Sequence, residues 1–163
     1  MNNKGFTLIE LTVTLALLGI MSAISIPSYF SWLPRHRLQT SVRHIYDDMN
    51  MARSRAVKTN ADIGIQFNTS NENYRIFIDA NQDQTLVDTV DTVLSTGTLE
   101  NDVDITGSTF TNNTYGFNSR GMSAGGTGEV RLTNPSGLFL GVRVNTSGCL
   151  TVINSTDGGT TWP

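Results

Sequence analysis

A run of 21 residues near the N-terminus, residues 6–26, constrains the fold of this chain more than any other feature. Its one charged residue is Glu10, and its length is sufficient for a helix to cross a hydrocarbon core of roughly 30 Å. An ionised carboxyl group in lipid costs roughly 2 kcal/mol or more, and such a residue marks a functional site with a partner. The run therefore predicts a transmembrane helix, with Glu10 as its candidate functional residue.

Two ordinary interpretations of such an N-terminus compete, and neither explains Glu10. A cleaved signal peptide would have MNNK as its basic region and Ala23-Ile24-Ser25 as its cleavage site, but Glu10 interrupts the apolar region at its start. A plain membrane anchor would follow the positive-inside rule. Lys4 stands alone before the run and three arginines follow it within residues 35–43, which would place the C-terminal part in the cytoplasm.

The start of this run, KGFTLIEL at residues 4–11, resembles the processing site of type IV pilins and pseudopilins. The resemblance implies that prepilin peptidase cleaves between Gly5 and Phe6 and that Phe6 is then N-methylated. It also implies a single-pass protein of the bacterial inner membrane, with its C-terminal domain in the periplasm, that is incorporated into a pilus or pseudopilus. Glu10 would pair with the N-terminal amine of a neighbouring subunit, since two buried opposite charges relieve each other's desolvation penalty.

Beyond the apolar run the sequence indicates a second, amphipathic helical stretch. Pro27 and Pro34 are expected to kink or locally melt the helix, because each removes a backbone hydrogen bond. From residue 35 onward, apolar residues recur at intervals of three and four, which places them on one helix face. We expect this face to pack against the globular domain; it consists of Leu38, Val42, Ile45, Met49, Ala52 and Ala56.

After Asn60 the hydrophobic period changes from helical to alternating. DIGIQF and NYRIFID are two strand-like runs separated by a turn, and TYGFN, EVRLT and FLGVRVNTSGCLTVI continue the pattern. Residues 99–113 are polar and threonine-rich, and fit either a strand or a loop. The expected fold is α+β: a long N-terminal helix, transmembrane in its first half, packed on an antiparallel β-sheet. The expected segments are a leader at 1–5, a transmembrane and assembly helix at 6–34, an amphipathic helix at 35–60 and a β-rich periplasmic domain at 61–163.

The order of these segments resembles the minor pseudopilin family usually called GspH/FimT. The resemblance is carried by ARSRAVKTN at the helix end, IFIDANQD in the first strand pair, an FNSRG turn and a closing GVRVNTSG hairpin. It implies a structural or tip subunit of a type II secretion pseudopilus or a type IV pilus. The implied partners are other pilins or pseudopilins, prepilin peptidase and the inner-membrane assembly platform. The alternative is a filament-tip binding module of FimT type, for DNA uptake or adhesion.

DNA uptake by FimT-like members is linked to a basic motif resembling GRxR, which this chain lacks. The matching hairpin carries GCLT at residues 148–151, without either arginine. Residues 1–59 carry seven Lys/Arg and three Asp/Glu, a balance of +4, whereas residues 60–163 carry four Arg and eleven Asp/Glu, a balance of −7. An acidic domain has no electrostatic footprint for nucleic acid, which is therefore not an expected partner.

The acidic stretch DANQDQTLVDTVD at residues 79–91 contains candidate ligands for Ca²⁺. Oxygen ligands at alternating positions suit this ion, but the glycine and the bidentate glutamate of an EF-hand loop are missing. A solvated turn stabilised by Asp and Asn side chains is the favoured interpretation. We therefore expect no cofactor, with Ca²⁺ as the alternative; its candidate ligands are Asp79, Asn81, Asp83 and Asp88.

No catalytic constellation is visible in the sequence. His36 and His44 lack a surrounding set of Cys, Asp or Glu ligands, and no motif pairs the single cysteine, Cys149, with a histidine. We therefore expect a structural protein without enzymatic activity. STDGGTTW at residues 155–162 resembles an Asp-box, which implies a stabilised loop with Trp162 packed down.

Overall fold

The computed structural model describes residues 5–162, so Lys4 and most of the expected leader lie outside the described residues. The chain divides into two compact units, Met1–Leu33 and Pro34–Pro163. Within the described part, one helix, α1 (Leu8–Thr59), precedes all the strands, and a short 3-10 helix spans Thr111–Asn113. The strands are β1 (Ile63–Asn68), β2 (Asn73–Ile78), β3 (Thr92–Thr98), β4 (Asp104–Ser108), β5 (Thr114–Phe117), β6 (Gly128–Thr133), β7 (Phe139–Val144) and β8 (Leu150–Ser155).

The N-terminal unit contains the first part of α1, and the local sequence determines where this helix begins. The Oγ1 atom of Thr7 accepts a hydrogen bond from the N–H of Glu10 at 3.2 Å, and the Thr7 carbonyl accepts one from the N–H of Leu11 at 3.2 Å. A threonine cap followed three positions later by an acidic residue is a favourable helix start. The hydroxyl groups of Thr12 and Thr14 donate to carbonyls of the same helix, so they need no water in an apolar environment.

Apolar side chains cover the first part of α1, and they are exposed. Among residues 5–162, α1 is the helix that is long and apolar enough to cross a membrane, judged by length and composition. The most apolar 18-residue stretch of α1 has no buried residue. Apolar surface of this extent requires a cover of lipid or protein.

Helical structure continues through both prolines of α1, Pro27 and Pro34. Local melting, one of the two outcomes expected for these residues, therefore does not occur. Each proline removes one backbone hydrogen bond, and the intact bonds of the turns before and after it keep the helix formed.

Two four-stranded antiparallel sheets form the rest of the C-terminal unit. The strand orders are β3-β2-β1-β5 and β4-β6-β7-β8. In the first sheet Ile65 of β1 lies opposite Ile76 of β2 on one side and opposite Tyr115 of β5 on the other. In the second sheet β6, β7 and β8 pair in chain order. A long helix with antiparallel sheets confirms the predicted α+β class, with two sheets in place of the single sheet expected.

One core joins α1 to both sheets in the C-terminal unit. The helix face predicted from the residue spacing is buried at all six positions, each at most 1% exposed. An aromatic cluster lies in the same core, where the ring centroid of Tyr115 is 4.9 Å from those of both Phe110 and Phe117. The hydroxyl of buried Tyr74 donates to the carboxylate of Asp48 on α1 at 2.6 Å. Burial, together with this carboxylate, raises the pKa of Tyr74 well above its usual value.

Two strands lack the alternating pattern from which the others can be predicted. Strand β3 is a mostly exposed edge strand, and β4, the edge of the other sheet, lies inside the ambiguous stretch 99–113. Because β3 is mostly exposed, it has no apolar side to distinguish from a polar one, and β4 has a single buried side chain, Ile105, from which no period can be recognised.

Met49→Ala is expected to destabilise the C-terminal unit by about 2–5 kcal/mol, because Met49 is 1% exposed and its truncation leaves a cavity. Met51, two residues farther along α1, is 47% exposed, and Met51→Ala is expected to cost about 0.5 kcal/mol or less. Urea unfolding of the full-length protein in detergent, followed by near-ultraviolet circular dichroism, measures both changes. Equal losses for the two variants would contradict the core described above.

Candidate assembly site

The junction between the expected leader and the mature chain lies just before the first turn of α1. Gly5 and Phe6 are outside the helix, Phe6 is 85% exposed, and open space surrounds the position that a side chain at Gly5 would occupy. Exposed segments without regular structure are the preferred sites of proteolysis. The backbone between Gly5 and Phe6 is therefore accessible to a peptidase.

Glu10 lies on the first turn of α1, three residues after the capping threonine. Its backbone N–H donates to the cap, but its carboxylate makes no hydrogen bond or ion pair with any of residues 5–162. The N-terminus of a helix carries partial positive charge and favours a carboxylate there. The helix thus positions the carboxylate of Glu10 without pairing it, and leaves it available to a cationic group of another chain.

The acidic loop between β2 and β3 uses its carboxylates to hold its own backbone. Asp79 accepts hydrogen bonds from the N–H groups of Asp83 at 3.3 Å and Gln84 at 2.9 Å. Asp91 accepts from the N–H groups of Ala80 at 3.1 Å and Val87 at 2.7 Å. Burial raises the pKa of Asp79 above its usual value, although the backbone hydrogen bonds oppose this shift. The geometry is that of a loop stabilised by Asp side chains.

Each of the four candidate calcium ligands has a hydrogen-bond or ion-pair partner within the described residues. The amide of Asn81 donates to Asp83 at 2.8 Å, whereas Asp88 pairs with Arg75 at 3.4 Å. Within residues 5–162 no group of three or more His, Cys, Asp or Glu side chains is arranged to hold a metal ion. A calcium site at Asp79, Asn81, Asp83 and Asp88 stays an untested prediction.

A buried glutamate on the second sheet, not singled out from the sequence, organises the C-terminal end of the chain. The side chain of Glu129 on β6 is 8% exposed. Its carboxylate accepts from both Arg131 and Arg143, the latter through Nε at 3.0 Å and Nη2 at 2.8 Å. Arg143 also donates to the carbonyl of Trp162 at 3.0 Å, and the guanidinium of Arg131 lies 5.2 Å from the centre of the Trp162 ring. Burial would raise the pKa of Glu129, but the two arginines outweigh it and hold this pKa below its usual value.

The loop that precedes Trp162 has the geometry expected from its Asp-box sequence. The carboxylate of Asp157 accepts from the hydroxyl of Ser155 at 2.6 Å and from the N–H groups of Thr160 and Thr161 at 3.1 and 2.8 Å. The hydrogen bond from Ser155 contributes most to lowering the pKa of Asp157, and the hydrogen bonds from Thr161 lower it further. The indole N–H of Trp162 donates to the Gly159 carbonyl at 2.9 Å, which confirms the prediction of a stabilised loop that holds the tryptophan.

The hairpin turn that would carry a DNA-binding motif is packed against its own domain. Gly148 has φ +75°, and a Cβ atom there would lie 2.4 Å from the carbonyl oxygen of Gly121. Arg53 of α1 donates to the same carbonyl at 2.8 Å and to that of Ser147 at 3.4 Å. Cys149 in this turn is an exposed free thiol. The arginines of β6 and β7, Arg131 and Arg143, are bonded to Glu129, so their guanidinium groups are already engaged within the subunit.

Two family models match this chain, one in its N-terminal region and one in its C-terminal part. The model of the family described as Type II transport protein GspH matches residues 41–148, which is more than half of the chain. The chain belongs to the GspH family. The prokaryotic N-terminal methylation motif matches residues 1–26, the region that contains Gly5, Phe6 and Glu10.

Solved structures of two minor subunits share the fold of this GspH protein. The minor pseudopilin EpsH from the type 2 secretion system of Vibrio cholerae is 10% identical, with a TM-score of 0.58, and the match covers 74% of this chain and 99% of EpsH. The type IV minor pilin FimU of Pseudomonas aeruginosa strain PAO1 is 13% identical, with a TM-score of 0.54, and the match covers 79% of this chain and 94% of FimU.

Family membership and fold together identify a minor pseudopilin subunit. It is a structural protein of a family whose members associate with other pilins or pseudopilins in a filament. The apolar helix and the separate C-terminal unit describe a membrane-anchored pilin with a globular domain.

Glu129→Gln is expected to change how stability depends on pH. Because the folded pKa of Glu129 is lowered, its ionised form contributes stability above the unfolded value of about 4.3, and this is lost as the pH falls through the folded pKa. The variant should be less stable by about 1–3 kcal/mol at pH 7, since it loses charge-assisted hydrogen bonds.

The unfolding free energies of the wild type and the variant should therefore converge as the pH is lowered from about 5 to 3. Urea unfolding at a series of pH values measures this convergence. Glu100→Gln, which removes an exposed carboxylate elsewhere, serves as the control for net charge. A difference that stays constant down to pH 3 would show that the ionised form of Glu129 does not stabilise the fold.

Proposed function

We propose that this GspH-family protein is a subunit of a type II secretion pseudopilus, cleaved between Gly5 and Phe6 by prepilin peptidase, N-methylated at Phe6 and held in the filament through Glu10. The observation that carries the proposal is the unpaired carboxylate of Glu10 on an exposed apolar helix. The match of the methylation motif to residues 1–26 and of the GspH model to residues 41–148 supports it.

The geometry of the helix start suggests how Glu10 finds its partner. Cleavage would leave a new amine on Phe6, directly before the capping residue Thr7. Glu10 is four residues after Phe6, a separation of at least about 6 Å along the axis, since each helical residue adds 1.5 Å and the two residues that precede α1 are more extended. A neighbouring subunit displaced by about this distance along the helix axis would bring its amine level with Glu10. Each charge is costly alone in an apolar layer, and their pairing removes that penalty.

The proposed location is the bacterial inner membrane, crossed once, with the C-terminal unit in the periplasm. The first part of α1 is apolar and exposed, so it requires lipid until other subunits cover it. The C-terminal unit buries its own apolar core. Transfer from membrane to filament would occur at the inner-membrane assembly platform, which is therefore a proposed partner together with prepilin peptidase.

A type IV pilus is the second candidate filament, and the likeness to the type IV minor pilin FimU favours it. The cleavage junction and Glu10 serve either filament. Immunodetection of the protein in separately isolated pili and pseudopili of the native host distinguishes the two. The FimT-type alternative, DNA uptake at a filament tip, is not favoured because Arg131 and Arg143 are bonded to Glu129.

Gly5→Val is expected to block processing, because a branched side chain at the cleavage position obstructs entry into the peptidase. The full-length precursor should accumulate in the inner membrane, with cleavage reduced at least about tenfold, which corresponds to roughly 1.4 kcal/mol in the transition state. Immunoblotting measures precursor and product. Mass spectrometry of the wild type should find an N-terminus at methylated Phe6; a mature N-terminus near Ser25 would instead establish the signal-peptide interpretation.

Glu10→Leu is expected to separate membrane insertion from assembly. The variant should insert as well as the wild type, because leucine is favourable in lipid, but it should be absent from sheared filaments. Thr14→Leu is the matched control, since the Thr14 hydroxyl bonds only within its own helix, and this variant should assemble normally. Normal incorporation of Glu10→Leu would exclude the proposed charge pairing.

A further inference from the structure

The surface of α1 that faces away from the sheets carries an exposed row of mainly cationic side chains. Arg43, Asp47, Met51 and Arg55 follow each other at four-residue intervals, and Lys58 comes three residues later. Such i, i+4 rows form the ridges by which helices contact other surfaces. All five side chains are exposed. We call these five residues the cationic ridge.

The cations of the ridge have no partner within the described residues, unlike five other arginines of the chain. Within residues 5–162, Arg43, Arg55 and Lys58 make no side-chain hydrogen bond or ion pair, and Asp47 pairs with neither arginine. The arginines that bind a carboxylate or a carbonyl of their own chain are Arg37, Arg53, Arg75, Arg131 and Arg143.

The middle of the ridge is apolar and the ends are charged. Met51 lies between Asp47 and Arg55 and is 47% exposed. An apolar centre with charged residues around it is the usual composition of a protein interface. The chemistry of this surface therefore fits a protein partner with a carboxylate-bearing face.

The C-terminal unit itself presents a surface of the required charge. Three exposed carboxylates lie close together between the end of β3 and the first residue of β4: Glu100, Asp102 and Asp104. One of them already pairs with the helix of its own chain, since Asp102 accepts from Arg37. This pair is one example of an arginine of α1 in contact with a carboxylate of this connection.

We propose that the cationic ridge binds the carboxylate-bearing β-surface of a neighbouring pilin-like subunit, with residues 100–104 of this chain as the example of such a surface. The inference rests on the proposed function, because it adds a second contact to the filament that Glu10 holds. A contact between two different surfaces of similar subunits is heterologous, and repeated heterologous contacts build open helical assemblies. Exposed complementary charges contribute mainly to partner choice and to the rate of association.

Photo-cross-linking in the native host tests this contact with the full chain. A photoreactive benzoylphenylalanine replaces Met51 in one strain and Met122 in another; Met122 is 44% exposed and lies outside the ridge. Irradiation of the Met51 strain should yield an adduct whose peptide, identified by mass spectrometry, comes from an acidic β-surface of a pilin-like subunit. The Met122 strain should not yield this adduct.

Charge reversal then tests the ionic character of the contact. Arg43→Glu combined with Arg55→Glu should reduce the Met51 adduct about tenfold, as expected when several peripheral charges of an interface are reversed. Arg120→Glu, which reverses an exposed arginine outside the ridge, should leave it unchanged. Arg43→Lys with Arg55→Lys should retain the adduct, and immunoblots of all variants verify that the protein accumulates.

Three results would overturn the inference: no adduct at Met51, an adduct with phospholipid or with a non-acidic surface, or an adduct that charge reversal does not affect. Failure of the proposed function gives a different result. If Glu10→Leu enters filaments normally, the pairing at Glu10 is wrong, whereas the cross-link from Met51 still reports on the ridge. If the Met51 cross-link is absent while assembly still depends on Glu10, the ridge contact is rejected and the proposed function stands.

Discussion

The contact between the buried face of α1 and the two sheets is the interaction on which the C-terminal unit depends. Residues of both sheets share one core with this face, so removal of the helix would expose the apolar side of each sheet. Polar contacts fix the helix at further points, from Asp48 to Tyr74 and from Arg53 to the Gly121 carbonyl. In the N-terminal unit the most apolar stretch of the same helix has no buried side chain.

Much of this architecture is predictable because α1 follows simple periodic rules. The buried face spanning residues 38–56 is predicted correctly because an amphipathic helix must place apolar residues three and four positions apart. The strands with one buried side are recognisable for the analogous reason. Edge strands β3 and β4 are not, since β3 is mostly exposed and β4 carries a single buried side chain, Ile105, and without them the division into two sheets cannot be inferred.

The cluster at Glu129 shows a different limit of prediction from sequence. Glu129 lies directly opposite Arg143 in the β6–β7 register, and Arg131 is two residues along on the same side of β6. The cluster therefore depends on strand register and on the return of Trp162 from the C-terminal loop. The only signal in the sequence is a charged pair, Glu129 and Arg131, at strand spacing, which a solvated surface strand would also have. The start of α1 after Gly5 and the position of Glu10 on its first turn, by contrast, depend on local sequence; the cleavage and assembly roles of these residues stay predictions.

The charges of this pseudopilin fall into two groups that have different consequences for assembly. Glu129, Asp79 and Asp157 are satisfied within the subunit, so they stabilise it whether or not it is assembled. The carboxylate of Glu10 and the cations of the ridge are unpaired within the described chain. An unpaired charge in an apolar layer is costly, so the pairing that we propose for Glu10 would favour assembly strongly, whereas exposed cations are already solvated and gain little free energy on pairing. In the proposed assembly the apolar helix and Glu10 would therefore supply the affinity, and the ridge would supply the choice of neighbour.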